Sequence, residues 1–396
     1  MITRQDSGAP APSVMSLSAE SPYMPRDLDV PLRLADDAAL VTIGARVAVF
    51  SGKRQRLFEL NETAAWLARR LEAGTCWPAL CGDLADHDVD PATAESYVRE
   101  TLLLWSREGI ATATIAAACG RRAPRQTIQI AGLRRTLCYS SHALMERIAP
   151  VFAHLEMGED DEAATCYDII DSSNLVFLGM RGQPMLIVTQ LQAAPALKGI
   201  LIEEILNGPT APVALHAACL TRNGGALLIA GSPGAGKSTM TVALMSAGFG
   251  YGGDDIALVG EAGGVKGLRF APAIKTGAWR LITDFRADLA CSPVHHRIDG
   301  KRIRFLSPGL GNEDVLPVRW IISLQRRESG PPMLVRQDPV DALATLIREA
   351  YSNRGDASSR DIRMLVDLVS GAQCHALVYS NLNEAVRTLA GLCSDA

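Results

Sequence analysis

The chain has 396 residues, 48% of them apolar and 21% charged, with a net charge of −4. That length allows two or three domains, and the composition is that of an ordinary soluble globular protein. The balance excludes a global basic field for holding nucleic acid, and no apolar run reaches the ~18–20 residues of a membrane span.

The opening "MITRQDSGAPAPSVMSLSAESPYMPRD" has no apolar core of a secretory signal, and residues 1–30 read as a disordered tail. From residue 32 apolar and polar positions alternate. "VAVF" and "RLFEL" read as strands around a turn at Ser51-Gly52-Lys53. Asn61 stands as the N-cap of a helix that Gly74 stops; Ala64, Leu67, Ala68 and Leu71 are at helical spacing. "CWPALCGDLAD" is a second short helix. A third enters at Asp90-Pro91 and closes at Gly109. These elements make a unit of residues 31–116.

"AACGRRAPRQ", residues 117–126, reads as a linker, with Arg121, Arg122 and Arg125 as solvated charges. In 127–212, "TIQIAG", "LVFLGM" and "MLIVTQ" read as strands, and "SHALMERIAPVFAHL" and "ALKGILIEEILNG" as helices. No chemistry is evident there; the expectation is a lead-in layer packed on the next core. The nine cysteines form no CxxC pair and suit a reducing cytoplasm. His295-His296 reads as a loop or surface pair rather than a metal site.

From 213 to the end the pattern turns to strand, loop, helix, strand, the order of an α/β fold. "ALHAACLTRNGGALLIAG" is a hairpin turning at Asn223-Gly224. Next comes Gly231-Ser232-Pro233-Gly234-Ala235-Gly236-Lys237-Ser238-Thr239, a complete phosphate-loop pattern after an apolar strand and before a helix. Its glycines let backbone N–H groups converge on phosphate oxygens. The helix N-terminus adds partial positive charge. Lys237 is expected on the β- and γ-phosphates of ATP, and Ser238 on Mg²⁺.

Asp254 and Asp255 follow Ser238 by 16 and 17 residues. Adjacent carboxylates on an extended segment point to opposite faces. One is expected to orient the metal shell, and the other to take a proton from an acceptor hydroxyl. Solvated carboxylates in a turn after Gly252-Gly253 are the alternative. His216 lies 22 residues before Ser238 and is read on the strand that pairs with the phosphate-loop strand. A core histidine is its alternative.

Together, "HAACLTRNGGALLIAGSPGAGKSTMTVALMSAGFGYGGDD" resembles, without a gap, the active-site segment of the HPr kinase/phosphorylase superfamily. The resemblance is strong over about 213–260 and loose beyond. It implies a P-loop, PEP-carboxykinase-like α/β kinase core with Asp255 as proton acceptor, Lys237 on the phosphates, Ser238 and Asp254 at Mg²⁺, and His216 hydrogen-bonded within the cluster. The family's glycine after the histidine is Ala217 here. Its second signature, Glu-[Ile/Leu]-Arg-Gly-x-Gly, has no counterpart: "APAIKTGAWRL" stands there, with Lys275 free for a phosphate or for solvent. That departure puts phosphorylase activity and HPr as the target in doubt. Kinases of peptide natural-product pathways share the reduced pattern. Arg302 and Arg304, alternating on one strand, read as solvent-facing or as γ-phosphate contacts.

The N-terminal unit, through "VFSGKRQRLFELNETAAWLARRLEAGT" and "VRETLLLWSREGIA", resembles the PqqD family of winged-helix-like peptide-recognition domains. That implies a leader peptide added as a strand near Val47–Leu60, beside a helix near Tyr97–Trp105. Lys53, Arg54 and Arg56 would favour an acidic leader. A packing module without a ligand is the alternative, and a nucleic-acid-binding winged helix a further one. The two halves imply a cytoplasmic, ATP- and Mg²⁺-dependent Ser/Thr kinase of a ribosomally made precursor peptide. Such a kinase is compatible with a homo-oligomer and with other pathway enzymes as partners. The competing readings are a non-catalytic ATP-binding scaffold, and a kinase of HPr or of a small metabolite.

Overall fold

A computed structural model describes residues 30–394, except 87–88, 116–122, 159–164, 209–212, 261–262, 310–313 and 352–357. Residues 1–29 of the expected tail and 117–122 of the expected linker, with Arg121 and Arg122, lie outside the described residues; Val30, expected in the tail, is buried in the N-terminal core. The protein is mixed α/β.

The N-terminal unit holds β1 (Pro31–Leu34), β2 (Ala38–Ile43), β3 (Arg46–Ser51), β4 (Arg56–Leu60), α1 (Glu62–Ala73), β5 (Thr75–Cys76), α2 (Trp77–Ala85), α3 (Pro91–Arg107) and β6 (Ala111–Ala113). The helix signals act as expected. The Asn61 side chain accepts from the Ala64 N–H, Gly74 ends α1 at φ 80°, and the Asp90 side chain caps α3 through the Thr93 N–H. β1 joins β5 and β6 in one small sheet, and β2, β3 and β4 form a second in that order. The expected open edge at Val47–Leu60 is therefore only half open. β3 is paired on both sides, and within this stretch β4 alone is an edge. Of the three cations beside it, Arg54 is occupied by Glu108 at 3.2 Å and by the Arg107 carbonyl, while Lys53 and Arg56 stay exposed.

The middle unit has β7 (Arg125–Ile130), β8 (Leu133–Tyr139), α4 (His142–Ile148), β9 (Thr165–Ser172), β10 (Leu175–Met180), β11 (Leu186–Val188) and α5 (Ala193–Asn207). Arg125 and Gln126, expected in the linker, already belong to β7. The five strands form their own sheet, ordered β11-β10-β9-β8-β7. One face, through Ile170, Phe177 and Ile187, packs into the same core as Leu67, Leu71 and Leu102 of the N-terminal unit. The other face packs with Leu197 and Leu201 of α5 against Ile256 and Phe270 of the C-terminal unit. The sheet is thus a shared wall with apolar side chains alternating into two cores.

The C-terminal unit contains β12 (Val213–Leu215), β13 (Ala218–Arg222), β14 (Gly225–Ala230), α6 (Lys237–Ser246), β15 (Gly250–Gly253), β16 (Ala257–Val259), β17 (Gly264–Gly267), β18 (Ala273–Lys275), α7 (Trp279–Thr283), β19 (Val294–His296), β20 (Arg302–Phe305), β21 (Leu316–Arg326), β22 (Met333–Arg336), α8 (Pro339–Arg348), β23 (Ala350–Tyr351), α9 (Ser359–Ser370), β24 (Gln373–Tyr379) and α10 (Leu382–Leu392). β13 and β14 make the expected hairpin, with φ 50° at Asn223 and 73° at Gly224. β14, entirely buried, pairs in parallel with β21, which pairs in parallel with β24. Ala226, Leu228 and Ala230 face Leu346 of α8 and Leu368 of α9. Leu227 and Ile229 face Leu244 of α6 and Leu389 of α10. Each buried Leu or Ile side chain contributes about 1.5–3 kcal/mol, so this strand is a rigid base for the loop that leaves its end.

His295-His296 is neither a loop nor a surface pair. It lies on β19, where alternation buries His295 against Phe305 at 5.3 Å. Burial pushes the His295 pKa down to about 4, helped by the charges of Arg147 and His296. No cluster of three or more His, Cys, Asp or Glu side chains among the described residues is arranged to hold a metal ion.

Candidate functional site

The loop 231–236 leaves the C-terminal end of β14 and enters α6. Gly231, Gly234 and Gly236 have φ of 153°, 96° and 99°. Gly236 and Gly234 lie in the positive-φ region that favours glycine. Gly236 caps α6 without any side-chain hydrogen bond, so the first-turn N–H groups, which have no partner inside the helix, face the loop. The Ala235 N–H bonds the Ser232 carbonyl at 3.0 Å, and the Tyr379 hydroxyl donates to the Ala235 carbonyl at 3.1 Å. Ser232, Pro233 and Gly234 form the exposed crest.

Lys237 is buried, and its ammonium donates to the Gly231 carbonyl. Burial lowers its pKa, opposed first by the charge of Glu349 and then by those of Asp255 and Asp254. Lys275, on the segment that replaces the second family signature, adds a positive charge within electrostatic reach of Lys237.

The chain bends at Asp254-Asp255, directly after β15. The expected opposition of their faces is accordingly relaxed, and both carboxylates act on Lys237 and feel Lys198. Their surroundings differ. Asp254 is buried, and the nearby Ser238 hydroxyl and Ala273 N–H act to lower its pKa. The Tyr251 hydroxyl stands 3.4 Å from it. Burial pushes its pKa up against the pull of Lys198. Asp255 has 47% of its side chain exposed. Its enclosure by protein acts to raise its pKa, but a hydrogen bond from His216 and the charges of Lys198 and Arg297 outweigh that. They hold it well below the usual carboxylate range. Two neighbouring carboxylates with pKa values pushed apart are equipped for different roles.

His216 is not on the strand expected for it. It occupies the bend between β12 and β13. There its Nε2 lies 3.2 Å from Asp255 Oδ1, and its Nδ1 lies 3.1 Å from Glu349 Oε2. Sequence reasoning missed Glu349, which follows α8 and immediately precedes β23. It also missed Lys198, buried on α5, whose Nζ is 3.9 Å from Asp254 Oδ1 and 3.4 Å from the Ala271 carbonyl. The middle unit, read as free of chemistry, therefore sends a cation into the site. No motif marks either residue; the register of β12 with β23 and the packing of α5 bring them in.

Arg304 is taken up elsewhere. It donates to the Leu289 and Ala290 carbonyls at 2.9 and 2.7 Å and lies 4.5 Å over the Trp279 ring. Arg302 is exposed.

Ser238 and Asp254 supply the hard oxygen atoms that suit Mg²⁺, which uses one or two carboxylates together with phosphate oxygens. A cavity of about 240 Å³ adjoins the loop, with Gly236 and Thr239 on one wall and Gly277, Leu281, Arg326, Tyr379 and Asn381 around it. A second cavity, of about 250 Å³, lies between Leu103 and Leu104 of α3, β11 and Ile298. No helix among the described residues is long and apolar enough to cross a membrane. No protein-family model matches the chain, and no curated protein matches it.

Proposed function

We propose that this chain is an ATP-dependent phosphotransferase of the HPr-kinase type, with Ser or Thr of a ribosomally made precursor peptide as its acceptor. The observation that carries the reading is the division of labour between the paired carboxylates: Asp254 buried beside Ser238 and Lys198, Asp255 half-exposed and 3.2 Å from His216, both acting on Lys237. Bound at the loop, ATP with Mg²⁺ supplies the γ-phosphoryl group and neutralises its charge. Ser238 and Asp254 are the residues that would hold the metal, and the cavity beside Gly236 and Thr239 suits the base and ribose.

The chain's own part is positioning and proton transfer. Lys237, within electrostatic reach of Glu349, Asp255 and Asp254, meets the phosphate oxygens as its bond to Gly231 is released. Asp255, ionised and open to the cleft, accepts the proton of the acceptor hydroxyl. The hydroxyl oxygen forms a bond to the γ-phosphorus as the bond to the bridging oxygen breaks. The products are phosphopeptide and ADP.

The peptide acceptor is supported by the N-terminal unit, whose resemblance to PqqD-like domains concerns a strand-and-helix docking mode. Within the stretch proposed for docking, Arg56–Leu60 is the open edge, with Leu57 53% exposed. Tethering a leader there raises the local concentration of the acceptor. The test is mass spectrometry of a short leader-bearing precursor peptide after incubation with ATP and Mg²⁺. One added phosphate with the wild type, and none with Asp255→Asn, is expected. An unmodified peptide sinks the reading, and ATP binding without transfer favours a non-catalytic scaffold.

A further inference from the structure

Glu349 has no place in the motif that defines the site, yet backbone register puts it there. β12 and β23 are antiparallel neighbours, with Leu215 opposite Ala350 and Ala214 opposite Tyr351. The ladder runs one step further: the His216 N–H donates to the Glu349 carbonyl at 2.7 Å. His216 and Glu349 are therefore cross-strand neighbours, and side chains so placed meet. They do meet, Nδ1 to Oε2, at 3.1 Å. The Glu349 side chain is only 14% exposed, so it is held rather than wandering in solvent. Tyr351, two residues on in β23, lies edge-on to the His216 ring at 6.1 Å.

We infer that Glu349 is a positioning residue: it holds the ring of His216 through Nδ1 and so aims Nε2 at Asp255, the two nitrogens donating to the two carboxylates when the ring is doubly protonated. The inference rests on the phosphotransfer reading for its catalytic consequence, but not for the geometry. A histidine between two acceptors has a free choice of ring orientation unless one of them sets it. The partner on the far nitrogen sets the ring's orientation, as carboxylate partners do for other functional histidines. Glu349 also leads the negative charges acting on Lys237, so one side chain is tied to both the proton-handling and phosphate-facing ends of the site. In the sequence around Lys275, "APAIKTGAWRL", the glutamate of the second family signature has no counterpart. Glu349 reaches the cluster from the turn between α8 and β23 and acts on histidine.

The test uses the full chain with ¹⁵N-labelled histidine and a long-range ¹⁵N–¹H spectrum at neutral pH, His216 being identified by its loss in His216→Asn. The wild type is expected to show a protonated, slowly exchanging Nδ1. Glu349→Ala loses that signal, and Glu349→Gln, of equal volume and with an amide oxygen as acceptor, keeps it. A wild type without the signal, or a Glu349→Ala variant that retains it, overturns the proposal. If Glu349→Ala does not fold, Glu349→Asp decides, since the shorter arm must weaken the signal.

Phosphotransfer provides the second readout. Removing a supporting partner of this kind costs about tenfold to a hundredfold. That loss is expected in kcat for Glu349→Ala, with KM for ATP within about twofold and most of the rate recovered by Glu349→Gln. An unchanged kcat overturns the catalytic part. A wild type that transfers no phosphate yet shows the ring signal and its loss leaves Glu349's positioning role standing and removes the kinase reading instead.

Discussion

Lys198 Nζ lies 3.9 Å from Asp254 Oδ1 at the seam between the middle and C-terminal units, and both side chains are buried. The ammonium also lies 5.8 Å from the Phe270 ring centre and 6.0 Å from that of Phe305. Removing one partner of a buried pair leaves an uncompensated charge, which costs about 3–5 kcal/mol for a tight pair. The separation here is wider, so Lys198→Met is expected to cost about 2–3 kcal/mol. Adding Asp254→Asn should return much of it. Urea unfolding of the two single variants and the double checks this, and strict additivity would show that the residues do not interact.

Asp254 and Asp255 carry opposite pH signatures in the metal-free protein. Asp255 has a folded pKa below the unfolded value of about 3.9. It therefore adds stability that is present above pH ~4 and is lost as pH falls toward the folded value. Asp254 has a folded pKa above its unfolded value. Its contribution is favourable below pH ~4 and is lost as pH rises through the folded pKa. Asp255→Asn is expected to remove the loss of stability as pH falls below ~4 and Asp254→Asn to remove the loss as pH rises above it, while both abolish phosphotransfer. Stability curves from pH 3 to 8 read the signs directly. An Asp254→Asn variant that keeps the wild-type fall in stability with rising pH contradicts the assignment.

Much of the frame could be read from local signals. Asn61, Asp90-Pro91, Gly109 and the Asn223-Gly224 turn each act through their own few residues, and they stand where expected. The phosphate-loop pattern likewise reports its own strand, loop and helix. β8 and β9 were missed because "LRRTLCY" and "TCYDIIDS" mix charges into strands whose burial depends on two neighbouring units. His216 was placed on the wrong element by one bend. Glu349 and Lys198 were illegible for a physical reason: one depends on a strand register, the other on a helix packed from another unit. Neither leaves a spacing in the chain.

Gly236 is the position where the loop has least tolerance. Its φ of 99° is costly for an L-residue, and a Cβ there would collide with the Tyr379 hydroxyl. Gly236→Ala is expected to weaken ATP binding at least tenfold while lowering stability by about 1–3 kcal/mol. Tyr379→Phe removes the bond to the Ala235 carbonyl, so it should weaken ATP binding less, by about threefold to tenfold. In Gly236→Ala/Tyr379→Phe the collision is eased but the backbone strain stays, so only part of the loss returns. Titration calorimetry with ATP and Mg²⁺ resolves the three cases; full binding by Gly236→Ala would mean that the loop can rearrange freely.

The N-terminal unit should not behave as a detachable module. Its core residues Leu67, Leu71 and Leu102 share one cluster with Phe177 and Ile187 of the middle sheet. Met185 bridges Ala113, and the Ser106 hydroxyl accepts from the Ile187 N–H at 2.8 Å. Phe177→Ala, on the middle sheet, removes a fully buried ring and is expected to cost about 3–5 kcal/mol. If the two units form one cooperative body, that loss appears equally in the protection of amides in α1 and α3, although neither helix was altered. Hydrogen exchange with mass spectrometry reads the two regions separately. Loss of protection in the middle sheet, with α1 and α3 unchanged, would show instead that the N-terminal unit keeps its fold alone.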